Sequence, residues 1–389
     1  MYPLAGEVPR RRTTTFQTDR FAVVSISWSQ ALAWRMRRQL LDPVGTEAVE
    51  DVVRRLGAVR AQPDSAAELA VRTRRQPSRE GDVARAVADG RLIKTFAFRG
   101  ATHLLTPEDG GAYLALRAAS RMWELPSWQS YYGLRPSDWP RLRGVVRQAL
   151  ADGPLTLEAL GAAITAQSDF RHLRFAFEGN PWTLLKAFAW QGDLSLGAEQ
   201  GRTTFQRLEG NTRWAGVPEL DEEGMRAVEA YFGAYGPARP DHVQYWLGEG
   251  LGAGRKRIQG WIAALGDRLV AVDIDGAAAY VLREHLEELD STSPSDAVRL
   301  LPGNDQWVLG PGTADSHVVP RARRALVSRQ ANIVIDGGVV SGAWTVTDDH
   351  VAIDWFPEAG QPPRKRLGDE VERLAKMLGV SPELSVQTA

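Results

Sequence analysis

One pattern recurs three times along this chain: an amphipathic helix that stops at a glycine, then a strand, a turn and a second strand. The stretches read "ARAVADGRLIKTFAFRGATHLLTPED", "LLKAFAWQGDLSLGAEQGRTTFQRLEG" and "IQGWIAALGDRLVAVDIDGAAAYVLRE". Glycine adopts the left-handed backbone that ends a helix without a Cβ penalty, and the residues after Gly90, Gly192 and Gly266 launch the strands. Two more helical patterns precede each unit. They are "WSQALAWRMRRQLL" and "TEAVEDVVRRLGAV", then "PSDWPRLRGVVRQALADG" and "TLEALGAAITAQ", then "DEEGMRAVEAYFGAYG" and "RPDHVQYWLGEG". Helices closed by a two-stranded wing predict tandem winged helices, and the unequal intervals between the glycines exclude a solenoid.

After about residue 290 the pattern changes. "STSPS" reads as a linker, and "AVRLLPGNDQWVLGPG" as a buried strand entering a loop. "ANIVIDGGVVSGAWTVTDDHVAIDWF" alternates apolar and polar positions over two hairpins, with Asp336-Gly337-Gly338 as the first turn. "LGDEVERLAKMLG" is a closing helix. The expected fold class is α+β, with three tandem winged-helix units followed by a small C-terminal β-rich, barrel-like domain. The boundaries are a flexible leader over 1–25, winged helix 1 with a connecting helix over 26–130, winged helix 2 over 131–215, winged helix 3 over 216–290 and the C-terminal domain over 291–389.

Composition narrows the chemistry. There is no cysteine, so thiol catalysis, zinc–thiolate sites and disulfide scaffolds are excluded. The six histidines are scattered with no i, i+4 pair, so no metal site is expected, and no motif asks for a cofactor. No apolar run is long enough to span a membrane. "RRRTTTFQTDRFAVV" lacks the apolar region and cleavage site of an export signal, so the expected location is cytoplasmic. Net charge is −1, which leaves nucleic-acid binding to local clusters. Residues 71–99 hold eight Arg or Lys against three acids, a patch able to neutralise phosphates or simply a solvated face. Smaller clusters at Arg255-Lys256-Arg257 and Arg321/Arg323/Arg324 read as plain surface. "GEGLGAGRKR" follows a helix and lacks the Gly-Lys-Ser/Thr ending of a phosphate loop. Of the thirteen tryptophans, Trp182, Trp190, Trp246 and Trp261 have core spacing, whereas Trp123 and Trp128 could stack on bases.

The least ordinary stretch is "GAVRAQPDSAAELAVRTR", residues 57–74, where a helix runs into a break carrying Arg60 and Gln62. Together with "RRQLL", "DGRLIKTFAFRGATHLLTPED", "LLPGNDQWVLGPG" and "DGGVVSGAW", it resembles the bacterial winged-helix DNA glycosylases of the AlkZ and YcaQ type, over nearly the whole chain from about residue 28. The resemblance implies excision of bulky N7-alkylguanines from double-stranded DNA, crosslinks included, by a nucleoid-associated monomer serving DNA repair or self-resistance. It places the catalytic Gln-x-Gln or Gln-x-Asp pair on this stretch. Gln62 matches the second member, and Arg60 stands where the first glutamine is expected. Arg37, Arg38, Arg72, Arg99, Thr102 and His103, on the matching stretches, are the expected DNA contacts.

An amide can serve such a reaction. N7-alkylguanine is already cationic, so its departure needs no acid, only a positioned water and a stabilised oxocarbenium-like sugar. A guanidinium offers five donors and no acceptor, and would oppose that charge. Two readings of Arg60 follow: it turns towards a phosphate beside the lesion, or the chain binds DNA without excision. No lysine lies close in sequence to this stretch, which favours a monofunctional, hydrolytic reaction over a Schiff-base one.

Overall fold

In the computed structural model, which describes residues 25–197, 201–347, 350–379 and 383–388, all three helix-ending glycines have positive φ: 71° at Gly90, 79° at Gly192 and 49° at Gly266. Each launches a hairpin. β3 (Ile93–Phe96) pairs with β4 (Thr102–Leu105), β6 (Leu194–Leu196) with β7 (Thr204–Arg207), and β8 (Leu269–Ile274) with β9 (Ala277–Leu282). Gly192 has a second reason to be glycine, since a Cβ there would meet Val217 Cγ2 at 2.7 Å. The fold is mixed α+β.

The first two hairpins do not stay separate. Lys94 pairs with Leu196, joining them, and two short strands complete a six-stranded sheet in the order β2-β4-β3-β6-β7-β5, with β2 at Val59–Arg60 and β5 at Leu155–Thr156. The third hairpin instead takes on β1 (Ser25–Ile26) in parallel, with Ile26 opposite Ile274. Residues 1–24 of the expected leader lie outside the described residues, but Ser25 already belongs to this sheet.

The first helices set the site. α1 (Trp28–Arg38) is capped by Ser27, whose hydroxyl accepts from the Gln30 amide. α2 (Val49–Leu56) ends at Gly57, β2 follows, and α3 (Asp64–Arg72) begins directly after Gln62-Pro63. Val52, Val53 and Leu56 of α2 pack with Ala67, Ala70 and Val71 of α3 and with Val83, Ala86 and Val87 of α4 (Asp82–Ala88), an apolar i, i+3, i+4 face on each helix. α5 (Pro107–Ala118) has proline at its first position and a Thr106 cap.

The C-terminal sheet corrects one expectation. Its strands are β10 (Val298–Leu301), β11 (Asn332–Asp336), β12 (Val339–Thr347), β13 (His350–Trp355) and β14 (Glu383–Thr388), in that order, and β10 and β14 remain at opposite edges. It is an open sheet with no closed barrel among the described residues. The reason is that helices cover both faces. The helix Arg364–Leu378 buries Leu367, Val371 and Leu374 against Val298, Leu300 and Trp344. On the other face Leu32 and Met36 of α1 join Leu301, Ile333 and Ile335. With its apolar surface already covered, the sheet has no need to curl onto itself. β14 runs parallel to β13, as the intervening helix requires. No helix among the described residues is long and apolar enough to cross a membrane.

Candidate active site

Arg60 and Gln62 are two residues apart yet line different cavities. Arg60 sits in β2 directly opposite His103 of β4. The next residue extends this pairing, the Ala61 amide donating to the Thr102 carbonyl at 2.9 Å. At Gln62 the chain leaves the sheet, and Pro63 and Asp64 open α3. Gln62 is therefore exposed at a turn, whereas Arg60 is held by the strand.

Arg60 shares a cavity of about 170 Å³ with Arg99, His103, Tyr245 and Asn304. No carboxylate lines it. Burial and the nearby Arg99 guanidinium both hold the Arg60 pKa below the ordinary arginine value, and Arg60 Nε is buried without a hydrogen-bond partner. Arg99 lies at the tip of the β3–β4 hairpin with φ 52°, exposed, its guanidinium 4.2 Å above the Tyr245 ring. Two cations lining one cavity without an acid is an arrangement able to accept an anion.

His103 is 1% exposed, and its Nδ1 lies 2.9 Å from the Ala101 carbonyl, which places the proton of the neutral ring on Nδ1. Burial, with Arg60 and Arg99 adding to it, lowers its pKa from 6.5 to about 3. The unfolded chain therefore takes up a proton between about pH 6.5 and 3 that the folded chain refuses. The stability this neutral ring contributes is complete above the unfolded value and is lost as the pH falls through that window. Urea midpoints measured across it will fall with acid, and less steeply in His103→Phe; an equal slope in the variant would exclude His103 as the source.

Gln62 lines a larger cavity, about 630 Å³, with Asp64, Lys94, Thr102, Trp182 and Lys186. Lys94 Nζ donates to Asp64 at 2.7 Å. Trp182 is 38% exposed, and its ring meets Phe96 edge-on at 6.2 Å. Helical spacing marked Trp182 as core together with Trp190, Trp246 and Trp261, which are indeed buried; Trp182 opens its helix and faces the cavity instead. Trp123 is 5% exposed and packs with Trp128 around Trp139, so these two rings belong to the second apolar core. Trp123 offers no stacking face, whereas Trp128 is only partly buried.

The remaining expected contacts divide by exposure. Arg37 is exposed at the end of α1, and Thr102 is buried but lines the Gln62 cavity. Arg38 donates to the Gly233 carbonyl at 2.9 Å. Arg72 is 6% exposed and donates to the Met377 carbonyl at the end of the C-terminal helix. The basic run over 71–99 is largely paired: Arg74 with Asp305, Arg75 and Arg85 with Asp82, Arg91 with Glu50, and Lys94 with Asp64. Among the described residues, no three His, Asp or Glu side chains group as a metal site.

Residues 53–377 match the family described as DNA glycosylase AlkZ-like. The chain belongs to the AlkZ-like DNA glycosylase family. It is 37% identical over 362 residues to an interstrand DNA cross-link repair glycosylase of Streptomyces sahachiroi, a match covering 91% of this chain and 97% of that protein. The solved structure of the Streptomyces sahachiroi DNA glycosylase AlkZ superposes with a TM-score of 0.88 at 36% identity, covering 94% of this chain and all of that one. Nothing in the sequence placed Lys94 and Lys186 beside Gln62, where both line its cavity. Lys186 is distant in sequence from Gln62, and its one available signal was rarity: five lysines among 47 Lys and Arg, two of them lining this cavity.

Proposed function

We propose that this chain hydrolyses the N-glycosidic bond of N7-alkylated guanine in double-stranded DNA, bulky adducts and interstrand crosslinks included, with Gln62 holding the attacking water. The observation that carries this reading is the separation of Gln62 from Arg60. The guanidinium lines a different cavity, so it does not place its charge against the developing oxocarbenium sugar. The Gln62 amide oxygen accepts from the water and presents its negative end to C1′, while the cationic base leaves unaided. Water is the nucleophile in base release, as in a monofunctional glycosylase.

Arg60, with Arg99 beside it, binds a phosphate flanking the lesion, and exposed Arg37 adds a further backbone contact. His103, opposite Arg60 in the strand pairing, backs this site from inside the protein, while Arg38 and Arg72 hold the Gly233 and Met377 carbonyls instead. Arg60→Ala is expected to weaken binding uniformly across sequences and to reduce the slope of log K against log salt by about 1. An unchanged slope would remove Arg60 from the DNA interface. The helix-and-hairpin segments over 26–130, 131–215 and 216–290 act as three winged helices, with residues 291–389 as the C-terminal unit, in a monomeric protein of the cytoplasm and nucleoid that serves repair or self-resistance.

Release of N7-methylguanine or a bulkier adduct from an end-labelled duplex tests the reading. Because an arginine stands where a glutamine is expected, the competing reading is a damage-binding protein without excision. Tight, salt-dependent binding by a wild type that releases no base would establish that alternative.

A further inference from the structure

Trp182 puts an exposed aromatic ring on the wall of the Gln62 cavity. It opens the helix Trp182–Trp190, whose Leu184, Leu185 and Phe188 face the second apolar core. Lys186, one turn on, lines the same cavity, so this face of the helix looks onto it. The ring is also held in place. Phe96 meets it edge-on at 66°, and Phe205 lies tilted at 49° with the ring centres 6.1 Å apart. Both phenylalanines are buried. Neither lies parallel to the indole, and among the described residues no other ring stacks on it. Trp246 shows the contrast, for Phe98 covers its face at 4.0 Å and 15°. An anchored, exposed indole with no ring on its faces, in a cavity of about 630 Å³, is the arrangement that receives a flat apolar group.

We propose that Trp182 is the platform on which a planar aromatic group carried by the N7 substituent stacks, so that the chain selects flat, bulky adducts over compact ones. This deepens the hydrolytic reading by naming which part of the lesion the cavity holds, and rests on it only in placing the alkylated guanine at the Gln62 cavity. The chemistry of the base brings the two together. N7 and the sugar-bearing N9 share the five-membered ring with one carbon between them, so a group on N7 lies beside the bond that is cut. A substituent can therefore reach the indole while Gln62 faces C1′. The base itself need not leave its stack completely, which a guanine tethered to the opposite strand cannot do. Stacking contributes beyond the burial of apolar area, and a group of equal carbon count without a π-face lacks that part.

The test measures equilibrium binding of the full-length protein to two duplexes, one bearing N7-benzylguanine and the other N7-cyclohexylmethylguanine. Each lesion sits on a 2′-fluorinated sugar, which blocks base release. The two substituents have the same number of carbons, and only the benzyl ring is flat and aromatic. The wild type is expected to bind the benzyl duplex about 3- to 10-fold more tightly. Trp182→Leu, which keeps apolar bulk without a π-face, is expected to bring that ratio close to one, and Trp182→Phe to retain most of it. Trp182→Met gives the same readout should the leucine variant fail to fold. Equal affinity of the wild type for both duplexes, or a wild-type ratio in Trp182→Leu, would overturn the proposal. A uniform loss of affinity in that variant leaves the ratio intact, and so would reduce Trp182 to a general DNA contact. Because release is blocked, the ratio is read whether or not the chain excises. A wild type that shows the benzyl preference yet releases no N7-methylguanine from an unfluorinated duplex would sink the hydrolytic reading and uphold this one.

Discussion

Gln62→Ala is expected to slow base release about 10²–10³-fold under single-turnover conditions while leaving duplex affinity nearly unchanged. The magnitude is that of removing one preorganised dipole from the place where charge develops. The direction follows from position. Gln62 is exposed at the turn between β2 and α3, where its side chain supports no core packing. Truncating it leaves the neighbouring Thr102, Lys94 and Trp182 in place around the same cavity. The loss therefore belongs to kcat and not to the fold, and a thermal midpoint equal to that of the wild type is part of the prediction. Gln62→Glu separates two contributions. A carboxylate accepts from water more strongly and faces the oxocarbenium with a full negative charge, so activity above that of the alanine variant supports an electrostatic role. Equal release by wild type and alanine variant would exclude Gln62 from the mechanism.

The features legible in the sequence were those fixed by local backbone requirements. Gly90, Gly192 and Gly266 could be read as helix ends because a left-handed residue is a property of a few neighbouring atoms. The hairpin at Asp336-Gly337-Gly338 was legible for the same reason, and Val339 does pair with Asp336. What escaped were pairings between remote segments. Lys94 opposite Leu196, and Ser25 opposite Asp273, depend on how whole units dock, and neither strand carries a local signal for its partner. The charge count over 71–99 could not see such partners either. It weighed cations against acids of the same stretch, while Asp305, Glu50 and Asp64 came from elsewhere. At the candidate site the sequence marked Arg60 and Gln62 as one pair, whereas they line two cavities. Their assignment to two cavities depends on the strand ending between them, a matter of which residues β4 is free to pair.

Asp305→Ala is expected to destabilise the protein by about 3–5 kcal/mol, the largest stability effect foreseen here. Arg74 and Asp305 are both fully buried, and their two parallel hydrogen bonds measure 2.6 and 2.8 Å. Asp305 also accepts from the Trp307 amide at 2.8 Å, and Arg74 donates to the Ala70 carbonyl. Removing the carboxylate leaves a guanidinium in the interior with its charge uncompensated, a penalty larger than the net value of the pair. The double variant Arg74→Met/Asp305→Leu replaces both charges by apolar volume and should recover most of the loss, measured as urea midpoints at constant m-value. Base release need not recover with it. The pair joins the end of α3 to Asn304 and the short helix Gln306–Leu309, which carry Asn304, Val308 and Leu309 along the wall of the Arg60 cavity. A stable double variant with weakened, less salt-dependent DNA binding would show that the ion pair fixes the register of that wall. Stability of Asp305→Ala equal to wild type would assign the docking of the C-terminal sheet to its apolar contacts alone.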